Sequence, residues 1–300
     1  MNTLIIMVLV VGFDTLMSII RNKYAKDSMK TQEDNITYSL ILSLTGAIVP
    51  FCSGKTGMIR GDIFLLAVLF GAFIALEQYT ANESYKRGPM SLSSFMAQSG
   101  MMITIVAACI FWNEALSVRQ IVGIAIMLFA MALMMLGKRD GDEQKGNIIW
   151  FLFALAWMFA CGILGVIQKV YAETADMTQI FGFIFYSFIF SGVFLALYLL
   201  ITVKRSKGKQ NTGNGKSGLS YKLTGQVGIA AGISGLLYAG LHLSALLGVG
   251  AMNAAYFFPV SNGLKLIFAI LAGTVLFKEK LAITQLVGMI LGLASILILS

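Results

Sequence analysis

The chain has 300 residues, of which 58 % are hydrophobic and only 12 % charged. A soluble domain of this length carries about twice that charged share, and the 31 glycines against three prolines suit packed membrane helices better than a loop-rich soluble fold. The net charge of +8 does not point to nucleic acid, because all but one of the basic residues gather in segments between apolar runs.

A helix that crosses a hydrocarbon core of roughly 30 Å needs about 20 mostly apolar residues. The chain opens Met-Asn-Thr and enters such a run without a basic leader or a small-residue cleavage site, so the first run is expected to stay as a helix. Ten candidate spans follow one another: 2–20, 36–53, 63–81, 91–112, 120–137, 147–168, 179–203, 223–246, 253–277 and 282–299. Lipid offers open backbone groups no hydrogen-bond partner, so helices are the expected form. The stretch 138–146 is the natural seam between units 1–140 and 147–300. The Lys-, Gly-, Ser- and Asn-rich stretch 204–222 reads as a basic flexible loop within the second unit.

Few polar side chains fall inside these runs, and insertion scales put an ionisable group at a helix centre at about 2.5–3.5 kcal/mol. In the first span Asp14, Ser18 and Arg21 share one face. Asp14 reads either as a proton-coupling carboxylate or as an ion-pair partner. Glu77 lies about a turn from the end of the third span, where a side chain that reaches back to the interface is the favoured reading. Ser94 with Gln98, Trp157 with Cys161, and Ser234 with Tyr238 and His242 recur every four residues on the fourth, sixth and eighth spans. Such stripes line a cavity or bond neighbouring helices together. His242 alone reads as a packing histidine. Lys265, one turn after Asn262 in the ninth span, is the only basic residue expected inside a span. It either holds an anionic group or ties to Asp14 or Glu77. The candidate pathway is therefore Lys265, Asn262, Asp14, Glu77, Gln98, Tyr238, His242 and Trp157. The three cysteines, Cys52, Cys109 and Cys161, suggest no disulfide framework. One histidine without CxxC or HExxH spacing suggests no metal site or cofactor.

The chain also repeats itself. Glu114-Ala-Leu-Ser-Val-Arg-Gln-Ile-Val-Gly123 and Glu279-Lys-Leu-Ala-Ile-Thr-Gln-Leu-Val-Gly288 share E-x-L-x-x-x-Q-x-V-G at a displacement of 165. Gly88-Pro-Met-Ser91 answers Gly250-Ala-Met-Asn253, and Tyr24-Ala25 answers Tyr171-Ala172 more weakly. Five helices per repeat is an odd number, so the second copy must cross in the opposite sense. The expected fold is an all-α membrane protein of ten helices in two inverted five-helix repeats, an arrangement that lets two halves rock about a shared midplane site.

Ser84-x-x-x-Gly-Pro-x-Ser91, a long apolar helix and then Glu114-x-Leu-x-x-x-Gln-x-x-Gly, with a second set from Gly250 to Gly288, resemble the drug/metabolite transporter superfamily in its EamA-like two-repeat form. The resemblance implies a helical basket around a central cavity that moves metabolites, amino acids, nucleotide sugars or drugs. Members often carry a proline in the long helix; here Pro259 stands in the second half but Ala97 or a neighbour in the first. The halves are therefore expected to bend differently.

The expected activity is secondary transport of a small metabolite through the plasma membrane by alternating access. The cargo is an anionic compound such as an amino acid, a phosphorylated compound or a nucleotide sugar. A proton-coupled exporter of drugs or cations is the alternative. An intramembrane transferase would need clustered Asp, His or metal ligands, so no enzyme is expected, and no Walker loop points to ATP. The expected partners are the small-molecule substrate and the bilayer, with Gly228/Gly232 and Gly288/Gly292 suited to close packing within the chain or in a homodimer. Segments after odd-numbered spans hold 17 basic residues against four after even-numbered spans. That places both chain ends outside by the positive-inside rule, whereas the family resemblance implies ends in the cytoplasm.

Overall fold

A computed structural model of the chain describes residues 3–57, 59–112, 117–136, 148–210, 225–251 and 254–299. Among the described residues there are helices and turns and no strand. The helices are α1 Thr3–Asp27, α2 Gln32–Cys52, α3 Gly61–Arg87, α4 Met90–Gln98, α5 Met101–Trp112 and α6 Val118–Leu136. After these come α7 Ile148–Thr174, α8 Ile180–Gln210, α9 Gly225–Ala251, α10 Ala254–Leu271 and α11 Ile283–Leu299. Glu114, the 138–146 seam, Asn253 and residues 211–222 of the basic stretch lie outside the described residues. Residues 204–210 of that stretch belong to α8.

Among the described residues, eight segments are long and apolar enough to cross a membrane, counting α4 and α5 together as Met90–Trp112. The apolar stretches Val118–Leu133 and Ile283–Ile298 are shorter. The molecule is thus an all-helical, multi-pass membrane protein. Its helices outlast the expected spans where polar residues are buried rather than solvated. α1 runs seven residues past position 20 because Arg21 and Asn22 are 1 % and 0 % exposed and face protein, not water.

The motif glutamines explain part of the repeat. Gln120 Oε1 accepts the backbone N–H of Ser117 at 2.9 Å, and Gln285 Oε1 accepts that of Ala282 at 3.0 Å. Each closes the start of an apolar helix by the glutamine half of a capping box. The Ser117 hydroxyl in turn accepts the backbone N–H of Gln120, which Ala282 cannot do for Gln285.

Helix contacts come in matched sets: α1 packs on α9 and α3 on α7, α2 on α9 and α8 on α3, α4 on α7 and α10 on α1. α2 packs on α8, α4 on α10, and α6 on α11. Glycines permit the tightest approaches. A Cβ on Gly235 of α9 would strike the Leu42 carbonyl and Thr45 of α2, and one on Gly162 of α7 would lie 2.7 Å from the Gly100 carbonyl. Gly232 makes only ordinary contact with Thr45, and the tight approach of α9 to α2 is at Gly235, one turn further on. Gly292 packs within the chain, against Phe95.

The two long helices do differ, though the proline is not the cause. α10 continues through Pro259, while its counterpart in the first half, with no proline inside it, breaks at Ser99–Gly100 between α4 and α5.

Candidate functional site

Packing α1, α3, α4, α5, α7, α9 and α10 leaves a cavity of about 110 Å³ near the mid-length of α1, α7 and α9. Among the described residues, α2, α6, α8 and α11 contribute none to its lining. The cavity therefore draws on both halves of the chain. Seven of the eight candidate residues line it: Asp14, Glu77, Trp157, Tyr238, His242, Asn262 and Lys265. Gln98 does not. It ends α4 at the break, half-buried, and its stripe partner Ser94 instead meets the Tyr85 hydroxyl at 3.1 Å.

Glu77 does not reach back to the interface, as its place near a helix end suggests. It is 4 % exposed and held from three sides. Arg21 Nη1 lies 3.2 Å and Trp157 Nε1 2.9 Å from Oε1, and the Tyr238 hydroxyl donates to Oε2 at 2.7 Å. Arg21, which sequence reasoning places beyond the first span, is thus a second basic group deep among the helices. Its Nε donates to Asn82 Oδ1 at 3.0 Å and its Nη2 to the Gln78 carbonyl at 2.9 Å. Asn82 then donates to Asn35 and Ser39, and Asn35 to Glu83. A buried charge keeps its place only when paired and fully bonded, and this one is.

A tie of Lys265 to Glu77, one of the alternatives the sequence leaves open, is not formed, and Arg21 occupies that carboxylate. Asp14 and Lys265 stand apart from the network. Both are half-buried, lie within electrostatic range of each other, and form no ion pair or hydrogen bond among the described residues. Asn262 and Ser261 line the cavity beside Lys265 on α10, with Phe257 and Phe258 forming an apolar wall.

His242 is largely a packing residue. Its ring sits edge-on to Tyr238 and Phe70 at 4.4 and 5.2 Å, and its Nδ1 meets Gln168 Nε2 at 3.2 Å. Among the described residues its Nε2 has no hydrogen-bond partner. Thr104, Gln168 and Ser261 also line the cavity and escape the sequence reading. The spacing Phe257, Ser261, Lys265 marks Ser261 as facing the same way as the lysine. No such signal marks Thr104, whose helix starts afresh after the break.

Among the described residues no group of three or more His, Cys, Asp or Glu could hold a metal ion. The arrangement offers one free acid, one free base and a set of neutral donors in an enclosed space. That suits binding a small polar molecule.

No curated protein matches the chain. Among solved structures, one described as "Crystal structure of protein" aligns with 97 % of this chain and 95 % of its own at 12 % identity, with a TM-score of 0.57, a likeness of fold. The model of the EamA-like transporter family matches residues 148–300, the whole second half including α10, Lys265 and the second motif copy. The chain belongs to the EamA-like transporter family.

Proposed function

We propose that the protein is a secondary transporter of a small zwitterionic metabolite, of the amino-acid type, working by alternating access to the central cavity. The observation that carries this is the pair of unpartnered opposite charges, Asp14 and Lys265, on the wall of one cavity. An unpaired intramembrane charge is costly, and a ligand bearing both an ammonium and a carboxylate compensates both at once. A purely anionic cargo would leave Asp14 facing a like charge, and a cationic one would do the same to Lys265.

The architecture we infer is ten spans in two inverted repeats, 1–140 and 147–300. The matched helix contacts support it, since exchanging α1 with α7, α2 with α8, α3 with α9, α4 with α10 and α6 with α11 returns most of the helix contacts, those of α11 with α4 and α10 excepted. Shared midplane lining is what such repeats provide. Loop charge supports a plasma-membrane orientation with the basic segments in the cytoplasm and both ends outside. Burial of Arg21 removes one residue from that count and leaves the bias.

Purified protein in proteoliposomes, given radiolabelled neutral amino acids, organic anions and organic cations in turn, tests the proposal. Saturable flux is expected for the zwitterions. Flux of cations alone, driven by an imposed pH gradient, would replace this reading with the proton-coupled exporter, in which Asp14 carries the proton.

A further inference from the structure

Glu279 opens the second copy of the repeated motif, yet it bonds to the first half of the chain. Its carboxylate accepts the backbone N–H of Met90, the backbone N–H of Ser91 at 3.1 Å and the Ser91 hydroxyl at 2.6 Å. Those residues begin α4, where N–H groups lack partners within the helix and the dipole favours an anion. The carboxylate is 6 % exposed, and Lys26 Nζ lies 3.6 Å from it.

Three local features deliver it there. The chain loosens into a π turn at Ala272–Leu276 after α10. Lys278 takes a φ of 51°, a left-handed conformation that non-glycine residues seldom adopt. Gly273 lies so close that a Cβ on it would collide with both the Ser91 hydroxyl and the Glu279 carboxylate. Irregular backbone of this kind persists where surrounding contacts over-determine it, often at functional positions.

The contact ties the start of α4 to the segment after α10, two helices that pack on each other and each have a further anchor. α4 is tied to α7, since Trp150 Nε1 donates to Ser93 at 2.9 Å and its ring covers Gly88. α10 packs on α1, which also supplies Lys26. α4 and α10 both line the central cavity, and the contact sits where α1 and α3 end and α4 begins, at the membrane face that carries the basic segments. The geometry points to Glu279 as a latch that closes the cavity at this face and is released when the start of α4 parts from the segment after α10. This rests on the alternating-access reading.

Cys161 lines the cavity and serves as a reporter. The full-length protein with Cys52→Ser and Cys109→Ser, in oriented vesicles, is treated with an impermeant methanethiosulfonate from either side. Glu279→Gln keeps the size of the side chain and removes its charge. It is expected to speed labelling of Cys161 from the basic-loop face by roughly tenfold, the loss of about one charge-assisted bond, without speeding it from the opposite face. An unchanged rate from the basic-loop face overturns the latch. Ser91→Ala, which removes a single hydroxyl, is the milder variant should Glu279→Gln not fold, with a rise of roughly threefold expected.

In a second arm, with Cys161→Ser added, Ser91→Cys and Glu279→Cys are bridged by a short bifunctional methanethiosulfonate. Amino-acid flux is expected to fall at least roughly tenfold against the same protein before bridging, and to return when a reductant cleaves the bridge. Undiminished flux with the bridge in place overturns the latch and leaves the transport reading standing. Absence of flux before bridging counts against the transport reading, and the labelling rate then decides the latch alone.

Discussion

Arg21 with Glu77 in the first half, and Gln168 with His242 in the second, stand at matching places under the proposed repeat. The offset of 147 that aligns Tyr24 with Tyr171 aligns Arg21 with Gln168, and Glu77 and His242 lie on α3 and α9, the third helices of the two halves. Each pair joins the first helix of its half to the third, and both close at 3.2 Å. One is a buried ion pair inside a bonded network; the other is a single neutral contact beside an unpartnered Nε2. Equal geometry thus hides unequal energy. α1 and α3 are locked by charges whose separation is costly, whereas α7 and α9 are joined by a bond that can open at little cost. The cavity charges are likewise not duplicated, since Asp14 aligns with Cys161 and Lys265 with Gly100.

The largest effect is expected from breaking the charged pair on one side only. Glu77→Ala strands Arg21, 1 % exposed, and should cost about 3–5 kcal/mol, read as a lowered melting temperature of the purified protein. Arg21→Met with Glu77→Met should recover only part of that loss, because removing both charges removes the stranded one but leaves the Trp157 and Tyr238 donors without their acceptor. If Glu77→Ala melts with the wild type, the pair is not what locks α1 to α3.

A milder experiment imports the second half's solution into the first. Arg21→Gln with Glu77→His leaves no buried charge, but an imidazole accepts one bond where the carboxylate accepted those of both Trp157 and Tyr238. One stranded donor predicts a loss of about 1–3 kcal/mol, less than that of Glu77→Ala. A double variant as unstable as Glu77→Ala would assign the stability to the Trp157 and Tyr238 bonds and not to the charge.

These contrasts show where sequence reading reaches and where it stops. The apolar runs are legible because about 20 such residues are conspicuous against any soluble background. Candidates such as Asp14, Trp157 and Lys265 stand out because polar side chains among those runs have few places to go. Arg21 and Glu77 lie 56 positions apart, and nothing local announces that they meet. Without that partner, Glu77 near a helix end reads as an interfacial residue, although Arg21, Asn82 and Asn35 carry polar packing onward from it. Gln98 fails for a backbone reason. The break at Ser99–Gly100 ends the helical phase on which its stripe with Ser94 depends. Glu279 is visible as a repeated letter, but its use as a cap on the opposite half depends on a π turn and a left-handed lysine that no periodicity encodes.

A smaller effect tests the neutral pair. Gln168→Leu removes the bond to His242 Nδ1 while keeping similar bulk, and a membrane-embedded bond of this kind contributes about 0.6 kcal/mol. The expected shift in melting temperature is correspondingly slight, several-fold below that of Glu77→Ala. A loss as large as the charged pair's would erase the proposed inequality between the halves.

The smallest stability effect, and the most selective one on transport, is expected at Lys265. The lysine has no ion pair or hydrogen bond among the described residues, so Lys265→Met strands no partner and keeps most of the side chain's length. Stability should change by less than about 1 kcal/mol, within the range of substitutions that disturb no named interaction. Affinity should not be spared, because a charge-assisted bond to a substrate carboxylate contributes about 1.5–3 kcal/mol. Its loss weakens binding roughly ten- to a hundredfold. Melting temperature and substrate affinity are measured for Lys265→Met, Asp14→Asn and the double variant. A stable Lys265→Met protein that binds its substrate unchanged removes Lys265 from the binding site. A destabilised Lys265→Met protein that regains stability and transport with Asp14→Asn would show that the two charges tie to each other across the cavity, leaving no free pair for a zwitterion to bridge.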